Sequence, residues 1–229
     1  MIKNGLNRTH LKYIAIITML IDHMAIFFIP STNIFYSICR FIGKLTAPTM
    51  CYFLVEGYCH TSSKYKYGLR LFIFSLISQF AFSLAFYKTI YVFKFNMIFT
   101  LLLCFFVLLS YEKISNKLLK YTIISCLIFF SNFCDWGIFA PLWVICFYIF
   151  KANILKQVLS YYISTIISII LKCIIISNYS WNNIIIYFGL FLFIPALFLY
   201  NRQKGSNRKF DKWFFYIIYP LHLLILYFA

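Results

Sequence analysis

The sequence predicts an all-α protein, a polytopic bundle of transmembrane helices that forms a single integral-membrane domain over residues 1–229. Three observations predict it: an apolar composition, a series of long apolar runs, and basic residues confined to alternate loops. The chain is 63% hydrophobic and only 11% charged, with a mean hydropathy of +0.86, whereas soluble domains contain about 25% charged residues. We therefore expect the chain to lie in the lipid bilayer of the cell membrane.

Nine apolar runs, separated by polar breaks, predict nine helices. A helix needs about 20 residues to cross the hydrocarbon core of a bilayer. The runs cover residues 11–29, 34–60, 67–87, 94–111, 119–134, 136–150, 154–177, 183–200 and 213–228. The fifth and sixth runs are short and meet at Cys134-Asp135-Trp136-Gly137, so eight spans is the alternative.

The basic residues indicate the orientation. With a cytoplasmic N-terminus, sixteen of the 21 basic residues fall in inner segments and only Lys88 and Lys94 in outer breaks. Cytoplasmic loops are enriched in this way, and eight spans would put one basic loop on the wrong side. The net charge of +16 is thus explained by topology, so we expect no nucleic-acid partner, a cytoplasmic N-terminus and an external C-terminus.

Polar residues within the apolar runs are the first candidates for a functional site. Asp22 and His23 lie in the first run, with Asp22 ~16 Å from its inner end, and Arg40 lies ~9 Å from the outer end of the second run. A break of four residues joins the two runs, so an Asp22–Arg40 pair is geometrically feasible. It forms either a structural salt bridge that fixes helix register or part of a polar cavity in which His23 transfers protons.

Further polar residues lie in other runs. Tyr219 and His222 are in the last run, with His222 ~13 Å from its inner end. Asn96 and Thr100 share one face of the fourth helix, and Asp135 lies at an outer break. We expect them to line a substrate cavity, while interhelical hydrogen bonding or solvation is the alternative for each.

A second cluster lies at the predicted inner surface. Glu56 and His60 are four residues apart and share a helix face. The residues after them are basic or aromatic: Lys64, Lys66, Tyr67 and Arg70. This combination is suited to an anionic cytosolic ligand, or to contact with anionic lipid headgroups. The eight Cys show no zinc-type spacing, so no metal is expected.

Three segments resemble the TraX family: LKYIAIITMLIDHMAIFF, FIGKLTAPTMCYFLVEGYCHTSSKYKYGLRL and FFYIIYPLHLLIL. The resemblance is strongest at the two ends of the chain, and it rests on the order in which these motifs follow one another. Its name-giving member acetylates the N-terminal amine of conjugative pilin. The resemblance implies a multi-span, acetyl-CoA-dependent N-acetyltransferase. It does not identify the acceptor, which is a peptide, protein or glycan, with the N-terminus of a membrane or exported peptide as one candidate. Transfer to a hydroxyl instead of an amine is the alternative.

Acyl transfer needs a base for the proton of the nucleophile and a donor for the developing oxyanion. We expect His23 or His222 to be the base, Asp22 to orient or charge it, and Arg40 to stabilise the oxyanion or pair with the carboxylate. The residues expected to bind coenzyme A are Glu56, His60, Arg70 and the inner lysines.

A proton-coupled transporter or exporter is the alternative function. In that case Asp22, His23, Arg40 and His222 would form a proton relay. No inverted repeat is present in the sequence, nor are there paired helices broken by Gly or Pro in two halves. The enzyme is therefore favoured.

Overall fold

The protein is described by a computed structural model that covers residues 5–90, 93–175, 181–206 and 209–229. Within these ranges the regular structure is helical apart from two isolated β-bridges, so the all-α prediction is confirmed. The α-helices are α1 Arg8–Phe28, α2 Ile34–Gly43, α3 Thr46–His60, α4 Lys64–Tyr87, α5 Met97–Lys113, α6 Lys117–Phe130, α7 Phe139–Ile149, α8 Ile154–Ile175, α9 Trp181–Phe188, α10 Phe193–Leu199 and α11 Lys209–Phe228.

Four helical segments in the described part of the chain are long and apolar enough to cross a membrane. They are Arg8–Phe28, Ile34–His60, Lys64–Tyr87 and Ile154–Ile174. Their exposed surfaces carry large apolar side chains such as Ile17, Phe72 and Ile167, as lipid-facing helices require. A membrane helix bundle is therefore confirmed, and the number of crossings stays a prediction.

The chain divides into two compact units. The first comprises Met1–Met50 and Thr165–Ile218, and the second comprises Cys51–Ser164 and Tyr219–Ala229. In the first unit α2 packs against α1 and α9, and in the second α5 packs against α4, α6 and α7. The interpretation of the whole chain as one domain stays a prediction.

Proline explains two interruptions of the predicted helices. The single helix expected over 34–60 is broken at Lys44 and Leu45, because the ring of Pro48 would clash with the carbonyl four residues earlier. Pro48 itself lies in the first turn of α3, where a backbone N–H would have no helical partner. Pro195 has the same position in α10, and a 3-10 helix, Gly189–Leu192, precedes it.

Loop pairings fix one end of each unit. In the first unit Leu6 pairs with Tyr200 through a β-bridge, and the Leu6 N–H donates to the Leu199 carbonyl at 2.8 Å. In the second unit Phe95 pairs with Cys134, and the Asp135 N–H donates to the Phe95 carbonyl at 2.9 Å. Each bridge thus joins two breaks that the charge pattern assigns to one side of the membrane.

Candidate functional site

The first unit contains the predicted pairing of Asp22 with Arg40. Nη1 of Arg40 donates a hydrogen bond of 2.6 Å to Oδ2 of Asp22, and the two side chains are 20% and 13% exposed. His23, the neighbour of Asp22 on α1, is likewise buried. The carboxylate, the guanidinium and the imidazole are therefore present together in the α1–α2 region, and their chemical role stays a prediction.

The close packing of α1 on α2 explains how these groups meet. α2 begins after the N-cap residue Asn33, whose side chain accepts the Phe35 N–H at 2.9 Å. A Cβ added to Gly43 would overlap the side chain of Asp22. Glycine at position 43 therefore lets the α2 backbone lie directly against the Asp22 carboxyl group.

The guanidinium compensates for the burial of the carboxylate. A lone charge within a membrane helix costs several kcal/mol, and an opposite charge at hydrogen-bonding distance offsets much of this cost. Asp22 and His23 are consecutive residues of α1 and both are buried, so a carboxylate and an imidazole lie at the same level of this helix.

Two threonines hold α3 against α1 near this site, and the sequence reasoning missed both. Thr46, at the start of α3, donates to the Ala15 carbonyl at 2.9 Å, and its Oγ1 lies 3.0 Å from Oγ1 of Thr18. Thr18 is four residues before Asp22, on the same side of α1. These hydrogen bonds fix the start of α3 just after the break at Lys44.

Two lysines surround one tyrosine in the same unit. Nζ of Lys44 lies 5.0 Å from the ring centroid of Tyr187, and Nζ of Lys172 lies 4.9 Å from it. Lys172 also donates to Oη of Tyr187 at 2.9 Å. Lys44 is only 6% exposed. The one sequence signal for these residues is that both lysines fall within apolar runs.

In the second unit the inner cluster contains a carboxylate that was not predicted. Nζ of Lys64 lies 2.5 Å from both carboxylate oxygens of Glu112, and Oη of Tyr58 donates to Oε2 of Glu112 at 2.6 Å. Both hydrogen bonds, that of Lys64 first, lower the pKa of Glu112. The positive charge of Lys64 is thus partly neutralised within the protein.

The other inner residues surround the α3–α4 loop. Nδ1 of His60 lies 2.8 Å from the Glu56 carbonyl, and the Tyr67 hydroxyl packs against Gly57, where an added Cβ would lie 2.9 Å from it. Arg70 lies 5.6 Å from the Tyr67 ring centroid, and its Nε is buried with no hydrogen-bond partner among the described residues. Lys66 is exposed.

Asn96 serves as a structural link between α4 and α5. Its side chain accepts the N–H groups of Ile98 and Phe99 as the N-cap of α5, at 2.9 and 3.1 Å. Its Nδ2 donates to the Ser75 carbonyl at 2.8 Å and to Oε1 of Gln79 at 2.9 Å. These bonds use the full hydrogen-bonding capacity of the amide, which favours the alternative of interhelical hydrogen bonding over a substrate contact.

The remaining predicted cavity residues also lie in the second unit. Thr100 is fully buried and donates to the Asn96 carbonyl at 3.2 Å. Oη of Tyr219 accepts the Met97 N–H at 3.3 Å, and the rings of Tyr219 and His222 are 5.6 Å apart. Thr100, Tyr219 and His222 are thus buried, whereas Asp135 is partly exposed.

Comparison with known proteins assigns a family. A sequence profile described as "TraX protein" matches residues 7–229. The "Probable fimbrial assembly protein FimC, serogroup H1" of Dichelobacter nodosus is 30% identical over 226 residues, which cover 94% of this chain and 92% of that protein. No solved structure matches the chain.

Proposed function

The chain belongs to the TraX family, and from this membership we propose that it is a membrane-embedded acetyltransferase. It transfers an acetyl group from cytosolic acetyl-CoA to an amine, or a hydroxyl, of an acceptor at or across the membrane. The name of the Dichelobacter nodosus relative, a fimbrial assembly protein, supports an acceptor among pilins or other exported peptides. A glycan is the alternative acceptor.

The partly buried ion pair of Asp22 and Arg40 is the main observation that supports this proposal. Oδ2 of Asp22 accepts a 2.6 Å hydrogen bond from Arg40, with His23 buried next to Asp22 in the sequence. Ionisable groups within a membrane helix are functional candidates by default. The imidazole of His23 supplies the base that acyl transfer needs, the carboxylate of Asp22 supplies its partner, and the guanidinium of Arg40 supplies the oxyanion donor.

In the proposed reaction the acceptor nitrogen attacks the acetyl carbonyl carbon, forming the C–N bond. His23 removes the amine proton, and Asp22 stabilises the resulting imidazolium. Arg40 donates to the oxyanion as charge develops on the carbonyl oxygen. The C–S bond then breaks, and the proton returns to the sulfur as coenzyme A leaves as a free thiol. His222 is the second candidate for the base.

Arg70 and Lys66 are the residues that fit the anionic end of coenzyme A. The half-buried Arg70, whose Nε has no hydrogen-bond partner among the described residues, supplies guanidinium donors for a phosphate oxygen, and Lys66 is an exposed cation. Glu112 already pairs with Lys64, so Lys64 contributes less positive charge than the sequence alone indicates. Glu56, His60 and Tyr67 line the same α3–α4 region.

The proposed orientation has the N-terminus in the cytoplasm and the C-terminus outside. The basic residues of the predicted inner segments support this orientation, and the contacts within each unit pair segments that it assigns to the same side. In the first unit Arg8 near the N-terminus is hydrogen-bonded to Gln203 of the basic 201–206 loop through a 2.9 Å backbone bond. In the second unit Nζ of Lys88, from a predicted outer break, lies 4.8 Å from the ring centroid of Tyr227 near the C-terminus.

Binding of coenzyme A tests the proposal. The purified protein in detergent is heated with and without coenzyme A, and slow hydrolysis of acetyl-CoA is followed through the released thiol. We expect a saturable rise in Tm and hydrolysis that depends on His23. A protein with neither property, but with proton uptake into vesicles that depends on Asp22, would instead be the transporter.

A further inference from the structure

Three tyrosines at one end of the second unit each have a lysine over the ring. The tyrosines lie near the ends of α3, α5 and α7, and each lysine lies in the following loop or at the start of the next helix. An ammonium group about 5 Å from a ring centroid is attracted to the face of the ring. The distances from Nζ to the centroid are 4.4 Å for Lys64 over Tyr58, 5.3 Å for Lys120 over Tyr111 and 4.8 Å for Lys151 over Tyr148.

The tyrosine rings bring these lysines onto one surface. The Tyr148 ring makes edge contacts with the rings of Tyr58 and Tyr111, at 6.0 and 5.8 Å between centroids. The ends of α3, α5 and α7 therefore meet on one side, which the charge pattern assigns to the cytoplasm. Tyrosine is enriched where a membrane helix leaves the hydrocarbon core, so we expect the ammonium groups to lie at the level of the lipid headgroups.

Two of the three lysines give this surface a positive charge. Glu112 pairs with Lys64 through a contact of 2.5 Å. Lys120 is half-buried and Lys151 is exposed, and in the described part of the chain neither of them forms a salt bridge. Their ammonium groups are partly open to the surroundings, so an anion can reach them without entering the interior of the helix bundle.

Exposed leucines beside these lysines indicate which kind of anion fits. Leu118 and Leu119, in the first turn of α6, directly precede Lys120 and are 79% and 52% exposed. Leu155, four residues after Lys151, is 67% exposed. A soluble anion gains nothing from such side chains. A phospholipid has an anionic headgroup next to acyl chains, and so it matches both the lysines and the leucines.

We propose that Lys120 and Lys151, held over Tyr111 and Tyr148, bind the headgroup of an anionic phospholipid in the adjacent leaflet. The ammonium groups donate to the phosphate oxygens, and an acyl chain covers the exposed leucines. This lipid site does not depend on acetyl transfer. It also uses other lysines than those of the α3–α4 region, which the proposed function assigns to coenzyme A.

Thermal unfolding in an uncharged detergent tests the lipid site, with added phosphatidylglycerol compared with phosphatidylcholine of the same acyl chains. We expect phosphatidylglycerol to raise the Tm by about 5 °C more than phosphatidylcholine does. Lys120→Met and Lys151→Met should each lose about half of this difference, and Lys120→Arg should keep it. Lys117→Met and Lys156→Met are the matched controls. Both lysines are exposed, belong to the same two helical segments and lie over no tyrosine ring in the described ranges, so these variants should keep the difference.

Two further comparisons separate the lipid from a soluble anion and from the coenzyme. Glycerol phosphate, which has the phosphate without acyl chains, should give no shift, and Arg70→Ala should weaken the coenzyme A shift while it keeps the phosphatidylglycerol shift. A lack of any coenzyme A shift beside an intact phosphatidylglycerol shift would contradict only the proposed function. The lipid site would be overturned if glycerol phosphate matched phosphatidylglycerol, if Lys117→Met and Lys156→Met lost as much as Lys120→Met and Lys151→Met, or if the two lipids stabilised the protein equally.

Discussion

Arg40 and Asp22 form a partly buried ion pair between α1 and α2, with 2.6 Å between Nη1 and Oδ2. The pair joins the first two helical segments that are long enough to cross a membrane. It has an energetic role, since each charge offsets the burial of the other. In the proposed chemistry Asp22 has a second role, as the partner of His23.

Charge removal at Asp22 separates the two roles. Asp22→Asn keeps the size of the side chain and removes its charge, so we expect acetyl transfer to be abolished while the protein remains in the membrane. Asp22→Leu alone should destabilise the protein, by up to about 3–5 kcal/mol, because it leaves the partly buried Arg40 without its carboxylate. Activity and Tm of the purified variants are the measurements.

The double variant is the control for this experiment. Asp22→Leu with Arg40→Met removes both charges, and we expect its stability to lie within about 1–2 kcal/mol of the unchanged protein. Its turnover should nevertheless be lost. A double variant that folds and works normally would show that the pair is only structural.

The coenzyme site and the chemical step have different kinetic signatures. Arg70→Ala should raise the apparent KM for acetyl-CoA, and added salt should reduce the difference, because the lost interaction is electrostatic. His23→Ala should lower turnover at saturating acetyl-CoA with little change in KM. An acetyl-CoA affinity that Arg70→Ala leaves unchanged at all salt concentrations would disprove the assignment of Arg70.

Asn96 has a structural role that stability measurements can detect. Asn96→Ala removes an N-cap, worth about 1 kcal/mol. It also removes the side-chain hydrogen bonds to the Ser75 carbonyl and to Oε1 of Gln79, each worth about 0.5–1.5 kcal/mol. The matched control is Asn116→Ala, which removes a single exposed cap bond, from the Leu119 N–H at 3.1 Å. Thermal unfolding should show the larger loss for Asn96→Ala, and equal losses would contradict the link between α4 and α5.

Glu112 makes the free energy of unfolding of the protein depend on pH. Lys64 and Tyr58 lower the pKa of Glu112 in the folded protein below its ordinary value of 4.5. The stabilisation is therefore fully present above pH 4.5 and is lost as the pH falls through the lower, folded value. Glu112→Gln should reduce the fall in Tm on acidification, measured from neutral pH to below 4.5, and an unchanged pH profile would argue against this pairing.

The pairing of Asp22 with Arg40 could be predicted from the sequence because the two residues are close together along the chain. One break of four residues joins their runs, and helical rise sets the depth of each residue. Lys64 and Glu112 are 48 residues apart, so that pair depends on how α4 packs against α5. Hydrophobic periodicity contains no information on such packing.

Two features had a sequence signal that the prediction of continuous helices missed. Pro48 and Pro195 mark breaks within 34–60 and 183–200. Proline has no N–H to bond to the carbonyl four residues earlier, and its ring clashes with that carbonyl. Asn96 directly precedes an apolar run, which is the position of an N-cap. The meeting of Lys44 and Lys172 at Tyr187 has no such signal, since it depends on the close approach of the segment at Gly189 to α2.

Transfer of labelled acetyl groups tests the central claim most directly. The purified protein in nanodiscs is given acetyl-CoA with an isotopically labelled acetyl group and a pilin-type peptide with a free N-terminal amine, and the peptide is examined by mass spectrometry. The account predicts label on the peptide with the unchanged protein and none with Asp22→Asn. Equal labelling with Asp22→Asn, in a sample whose Tm matches that of the unchanged protein, would contradict it.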